Sequence, residues 1–200
     1  MPLVRAPIGE QSVEADLARR CRQGDQAAFD RIVELYEDRI FSFVRRMVHD
    51  PRDAEDAAQE VFVKAFEGIR QFDGRASLGT WLFRIASNVC IDLSRRKARR
   101  IDPLPLSRNS ETGEDIEVSD SRYDPERLVV EGEMQGVVES AVLRLSDKLR
   151  TVLLLHDMES LSYEEIAAVV RVPLGTVKSR LYLAREQLRE ALRDYLREGA

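Results

Sequence analysis

Asp53, Asp56, Gln59 and Glu60 fall within two turns of the stretch DAEDAAQEVFVKAFEGI and can share one exposed side of a helix. Carboxylates grouped this way suit general acid–base work, metal binding or a basic partner. The first two uses need company that this chain does not supply. It has two histidines, His49 and His156, and two cysteines, Cys21 and Cys90, set far apart. A structural or catalytic metal site needs more Cys or clustered His than that. No Gly-rich phosphate loop, Ser-His-Asp set or Cys-His pair is visible. We therefore expect no catalytic residue, no metal and no cofactor, and do not read the chain as an enzyme. A row of acids on a helix is then either a solvated face or a surface for an Arg-rich partner.

A second group has the opposite sign. Residues 92–100, DLSRRKARR, hold five bases and one acid, whereas residues 50–67 hold six acids and two bases. Residues 102–126 hold eight acids and two bases, and residues 171–197 hold seven bases and three acids. The net charge of −5 argues against nucleic acid only if charge is averaged. Alternating blocks of this kind point to separate surfaces for separate partners.

The third group lies in SYEEIAAVVRVPLGTVKSRL, residues 162–181. Ser162 stands three residues before Glu165, the spacing of a capping box. Pro173 disfavours helical geometry at Val172 and suits the first turn of a following helix. Two short helices joined by a tight turn are the result. In the second, Val177, Leu181, Ala184, Leu188 and Leu192 form an apolar stripe. Lys178, Tyr182, Arg185 and Arg189 fall on another face, with Ser179 beside it. Gly175 and Thr176 open that helix with little bulk, so a phosphate backbone can approach. Such a pair either closes a small core as a plain hairpin or places its second helix in the major groove of DNA.

The elements that carry these groups are helical. In DQAAFDRIVELYEDRIFSFVRRMV, apolar residues recur at three- and four-residue steps, with Asp25 placed as N-cap. The acidic helix starts at Asp53 and turns Ala57, Val61, Phe62, Ala65 and Phe66 inward. QFDGRASLGT breaks the pattern, and TWLFRIASNVCIDLSRRKARR resumes it with Trp81, Leu82, Ile85 and Val89 inward. Residues 101–126 carry Pro, Ser, Gly and acids without periodicity, the composition of a flexible linker. Helices resume beyond it, one capped by Ser146. The expected fold is all-α: two small helical domains, 13–100 and 127–200, joined by a flexible acidic linker, with a helix-turn-helix in the second. The longest apolar run is too short to span a bilayer, and the N-terminal MPLVRAPIGEQ lacks an apolar signal core. Membrane insertion is not expected, and a cytoplasmic location is.

The wording of these segments goes further than their spacing. LSYEEIAAVV and VPLGTVKSRLYLAREQLRE resemble the promoter-reading segment of bacterial RNA polymerase sigma factors of the extracytoplasmic-function group. DKLRTVLLLHDMESLSYEEIA is similar to the rest of that family's region four. GDQAAFDRIVELYEDRIFSFVRRMVHDPRDAEDAAQEVFVKAF and FDGRASLGTWLFRIASNVCIDLSRRK resemble its region two. Arg171 departs from the family's habit of Gly in the turn; Ser146 and Ser160 stand where Pro and Gly are frequent.

The resemblance implies promoter-specific initiation with core RNA polymerase, whose β′ and β subunits and promoter DNA would be the partners, along with an anti-sigma factor. It implies that Asp53, Asp56, Gln59 and Glu60 dock on the polymerase. It implies that Phe72, Asp73, Arg75, Ala76 and Ser77 shape a pocket for a flipped base of the minus-ten element, with Arg84 and Asn88 on base edge or phosphate. Arg95, Arg96 and Lys97 would meet phosphate there. Tyr163, Arg171, Gly175, Thr176, Lys178, Ser179, Tyr182 and Arg185 would meet the minus-thirty-five element. The runner-up is a free-standing helix-turn-helix regulator, which would have no need of the acidic docking helix.

Overall fold

The computed structural model describes residues 8–101 and 133–198. The expected linker, residues 101–126, lies outside the described residues apart from Ile101. Among the described residues every regular element is helical. None of these helices is long and apolar enough to cross a membrane.

The N-terminal half contains α1 (Ile8–Arg22), α2 (Gln26–Met47), α3 (Pro51–Gly68) and α4 (Leu78–Ile101). Helix α1 thus begins ahead of Val13. Asp25 caps α2 as its spacing predicts, its carboxylate accepting from the Ala28 amide at 3.2 Å. Helix α3 starts two residues earlier than expected. Asp50, not a later acid, takes the cap and accepts from the amides of Arg52 and Asp53 at 2.8 and 3.3 Å. Pro51 then fills the first turn, where its missing N–H costs nothing. Those two amides hold the Asp50 carboxyl below the usual range.

The core of this half is built by Ile32, Ile40, Phe43, Val44, Val61, Leu82 and Phe83, all fully buried. Phe43 and Phe83 meet edge to face at 5.5 Å. Phe66 corrects the reading of α3. It is 52% exposed, its ring resting edge-on against Phe29 at 5.1 Å. The inward turn beside it is completed by Ala65, whose small side chain lets α3 pack closely. Both thiols, Cys21 and Cys90, are free and buried, and burial pushes the Cys90 thiol up to about 12.

The C-terminal half contains α5 (Glu133–Arg144), α6 (Asp147–Asp157), α7 (Tyr163–Val170) and α8 (Leu174–Glu198). Ser146 sits at the N-cap position of α6 without a side-chain bond to the helix. Ser162 and Glu165 form both arms of the capping box on α7. Arg171 ends α7 in the left-handed conformation at φ 54°, ψ 48°. Its amide donates to the Ala167 carbonyl. Ser160 also has positive φ, 55°. Ser160 and Arg171 thus both hold the left-handed backbone that Gly adopts most readily.

The halves pack on one another. Helix α4 lies along α7, and α2 lies against α5 and α6. Arg150, only 3% exposed, is the buried joint. Its guanidinium donates to the carbonyls of Val142 (3.1 Å), Leu143 and Leu145 (2.7 Å) near the end of α5. It also donates to the Met47 carbonyl at the end of α2, at 2.7 Å. A helix end leaves such carbonyls without intrahelical partners, and a cation there also suits the helix dipole.

Replacing Ser162 with Ala should lower stability by about 1 kcal/mol through loss of the cap. Arg171→Gly should do the opposite. Left-handed backbone costs a non-glycine residue about 1–2 kcal/mol, of which glycine's greater entropy loss returns about 0.5–1. A gain of a few tenths to about 1 kcal/mol is expected. Denaturant melts of the three proteins decide; a loss on Arg171→Gly would contradict the strain assigned to the turn.

Candidate nucleic-acid and polymerase interface

Helix α3 carries the acidic group on one side. Asp56 and Gln59 stand exposed. Glu60 accepts from Lys64 one turn on, at 3.0 Å. Asp53 is paired with Lys97 of α4. Two residues that the sequence assigns to different partners therefore meet each other, because the start of α3 runs beside the basic end of α4. Arg95 and Arg96 remain exposed there, Arg95 within 4.0 Å of Asp92.

The loop between α3 and α4 and the first turns of α4 enclose a cleft of about 290 Å³, lined by Gln71, Phe72, Asp73, Arg75, Ala76, Thr80, Trp81, Arg84 and Ala168. That is close to the small end of ordinary ligand pockets, roughly 300 Å³. Asp73 closes the loop by accepting from the Arg75 amide at 3.1 Å, and Gly74 supplies the left-handed turn at φ 74°. Phe72 is 7% exposed and packs on Trp81 with ring centroids 5.3 Å apart. The pair forms an apolar floor. Arg84 is half-buried at the rim.

Ser77, expected in the pocket, and Asn88, expected on base edge or phosphate, both fall outside the cleft lining. The Ser77 hydroxyl accepts from the Thr80 amide at 3.0 Å and so caps α4. Asn88 is exposed one turn beyond Arg84, on the same face but outside the cleft. Trp81 is both core, as its place on the apolar stripe predicts, and cleft wall. Thr80 and Ala168 were not legible as cleft residues. The Ser77–Thr80 spacing carries a capping signal, but nothing local announces that α7 supplies part of the wall.

In the helix-turn-helix, Val177, Leu181 and Ala184 are buried, while Lys178, Ser179, Tyr182 and Arg185 are exposed. The bare start of α8 is open: nothing lies within 4 Å of where a Cβ on Gly175 would stand. Thr176 is half-buried and its carbonyl accepts from the Ser179 hydroxyl at 3.1 Å. Tyr163 stacks near His156 at 5.1 Å, and the Lys178 ammonium stands 5.9 Å from its ring centre. Arg185 pairs with Asp157 at 2.5 Å. That hydrogen bond holds the Arg185 guanidinium above its usual range. Asp157 thus fixes a base that the sequence treats as free, and its separation of 28 residues hid the pairing.

The family model for Sigma-70 region 2 matches residues 32–100, and that for Sigma-70, region 4 matches residues 135–188. The RNA polymerase sigma-H factor of Pseudomonas aeruginosa is 38% identical over 192 residues, covering 94% of this chain and 98% of that protein. The ECF RNA polymerase sigma factor SigW of Bacillus subtilis is 38% identical over 178 residues, 88% of this chain and 95% of that one. Among solved structures, the sigma factor RpoE from Bartonella quintana, in complex with the anti-sigma factor NepR, aligns with a TM-score of 0.64. The identity is 25%, over 82% of this chain and 96% of that one. A free-standing regulator would account for the helix-turn-helix alone and leave the matched N-terminal half without a role. With both regions present in order and relatives matched almost end to end, the chain belongs to the extracytoplasmic-function RNA polymerase sigma factors.

Proposed function

We propose that the three surfaces divide the work of promoter-specific initiation among named residues. Asp56, Gln59 and Glu60, with Asp53 at the edge, dock on a basic surface of core RNA polymerase. The cleft walled by Phe72, Asp73, Arg75, Ala76 and Arg84 holds a base flipped from the minus-ten element, and Asn88, Arg95, Arg96 and Lys97 follow the adjoining strand. The exposed face of α8 reads the minus-thirty-five element. The cleft carries this reading. It combines an apolar aromatic floor with a polar rim, on which Arg75 pairs with Asp73 at 3.2 Å and Arg84 stands beside them, features that suit an extruded base next to a phosphate. Under the same reading the protein acts in the cytoplasm, without catalysis or cofactor, through two helical domains, 13–100 and 127–200. An anti-sigma partner is proposed by analogy with RpoE, which is held by NepR.

Docking and melting separate in one experiment on open-complex formation. Reversing Asp56 and Glu60 to Lys should weaken binding to core polymerase while the fold holds, because exposed charge changes cost little stability. Arg75→Ala with Asn88→Ala should leave core binding intact and impair opening of duplex promoters. A pre-opened bubble should rescue the second variant and not the first, since unstacking is already done. Equal failure on both templates by the cleft variant would remove the cleft from melting.

Promoter reading by α8 predicts two classes of response. Ala at Arg171 should weaken binding to every duplex and reduce the salt slope by about one. Ala at Lys178 or Tyr182 should relax preference at particular base pairs, by about 1–3 kcal/mol for a bidentate contact. Binding of the full chain, in complex with core polymerase, to promoter and scrambled duplexes across a salt series checks both. A uniform loss from all three substitutions would contradict the assignment.

A further inference from the structure

Asp157 stands at an unfavourable place. It is the last residue of α6, where a negative charge meets the negative end of the helix dipole. Its carboxylate is committed instead to Arg185 of α8, across 28 residues of chain. Oδ1 accepts from Arg185 Nη2 at 2.5 Å, and Oδ2 accepts from Arg185 Nε at 3.4 Å. Two bonds to one planar fork fix the direction of a guanidinium as well as its distance. His156 stands behind the pair, its Nδ1 3.0 Å from Asp157 Oδ1 and 3.4 Å from Arg185 Nη2. A protonated Nδ1 donates to the carboxylate and a bare one accepts from the guanidinium, so either tautomer joins the group. The imidazole is backed in turn by the Tyr163 ring, with centroids 5.1 Å apart.

The fork uses two of the five N–H donors that a guanidinium carries, and the Arg185 side chain stays 46% exposed. Arg185 therefore keeps donors for DNA while it remains bonded to Asp157. A cation on a long free side chain finds a phosphate on any duplex. A cation held in one direction meets only the phosphate that lies there when the reading helix is seated in register. Contacts of the second kind set register and orientation.

We infer that Asp157 is a positioning residue for promoter discrimination: by holding the Arg185 guanidinium in one direction, it reserves that cation for a correctly seated α8 and withholds it from duplexes of other sequence. The inference rests on the reading of α8 given above. On a duplex of other sequence, Arg185 reaches a phosphate only by leaving Asp157. The strength of an exposed ion pair limits the resulting discrimination to a factor of up to about 5.

The parent is compared with Asp157→Asn, Asp157→Ala, Arg185→Ala and the double variant that joins Asp157→Asn to Arg185→Ala. Each full chain is bound to core polymerase. Affinity is measured across a salt series for a promoter duplex mapped by run-off transcription, and for the same duplex scrambled only over its minus-thirty-five element. Both Asp157 variants remove an unfavourable charge from the end of α6, so the fold should hold. Each should raise affinity for the scrambled duplex more than for the intact one, lowering the ratio about 2- to 5-fold. The salt slope on the scrambled duplex should steepen by about one, as one more cation meets phosphate. In the Arg185→Ala background, Asp157→Asn should leave the ratio unchanged. Equal gains on both duplexes would report only the removal of a negative charge near DNA and would overturn the inference. A fall in the ratio that persists without Arg185 would overturn it too. Early melting of both Asp157 variants, or a loss of affinity on both duplexes at an unchanged salt slope, would make Asp157 a structural residue and have the same consequence. A parent that does not distinguish the two duplexes would overturn the reading of α8 itself, and the inference with it.

Discussion

The Arg150 guanidinium is a buried joint between the two halves of this protein. Arg150 reaches carbonyls near the end of α5 and at the end of α2. Each helix end presents carbonyls that its own turn cannot satisfy. A buried cation is costly without partners, and here burial lowers the Arg150 pKa while the Asp147 carboxylate, 3.8 Å away, partly offsets it. Because the carbonyls of α5 are in the same half, most of the cation's partners survive if the halves part. Only the Met47 bond is lost, to be replaced by water. Arg150 is therefore held mainly within the C-terminal half and reaches the N-terminal half through the Met47 carbonyl.

The distribution of charge follows from this arrangement. Acids gather on α3, bases on the end of α4 and along α8, and the chain remains net negative. Where the blocks touch, they neutralise each other locally, as Asp53 does with Lys97 and Asp157 with Arg185. Such pairs hold long side chains in place at little net stability, since exposed ion pairs contribute about 0–1 kcal/mol. Their partners can be exchanged for phosphate at correspondingly small cost. Asp56, Gln59, Lys178 and Tyr182 are exposed, which is what their proposed contacts with polymerase and promoter require.

The all-helical fold was legible from periodicity, because helices such as α2 and α3 bury one stripe and expose the rest, although α6 is buried all round from Leu149 to Leu155. The caps at Asp25 and Ser162 were legible because they act over three residues. The helix-turn-helix was legible for the same reason: Pro173, the capping box and the apolar stripe are all local. What escaped depends on distance along the chain. Phe66 has the spacing of a core residue, but the neighbouring helices leave it half outside. Asp50 displaced Asp53 as the start of α3 because Pro51 could occupy the first turn. Thr80, Ala168 and Asp157 acquire their roles only when remote helices meet. The role of each site residue in docking, melting or reading came from the family resemblance, since spacing alone leaves an acidic helix as either a solvated face or a docking face.

Transcription directed by the purified chain is the most direct test. Core RNA polymerase alone and core polymerase with the full chain are supplied with fragments of the host genome, and run-off transcripts are mapped to their start sites. The account predicts discrete transcripts that appear only when the chain is present, from sites sharing two upstream elements at a fixed separation. The same transcripts without the chain, or no discrete start sites with it although it binds core polymerase, would contradict the account.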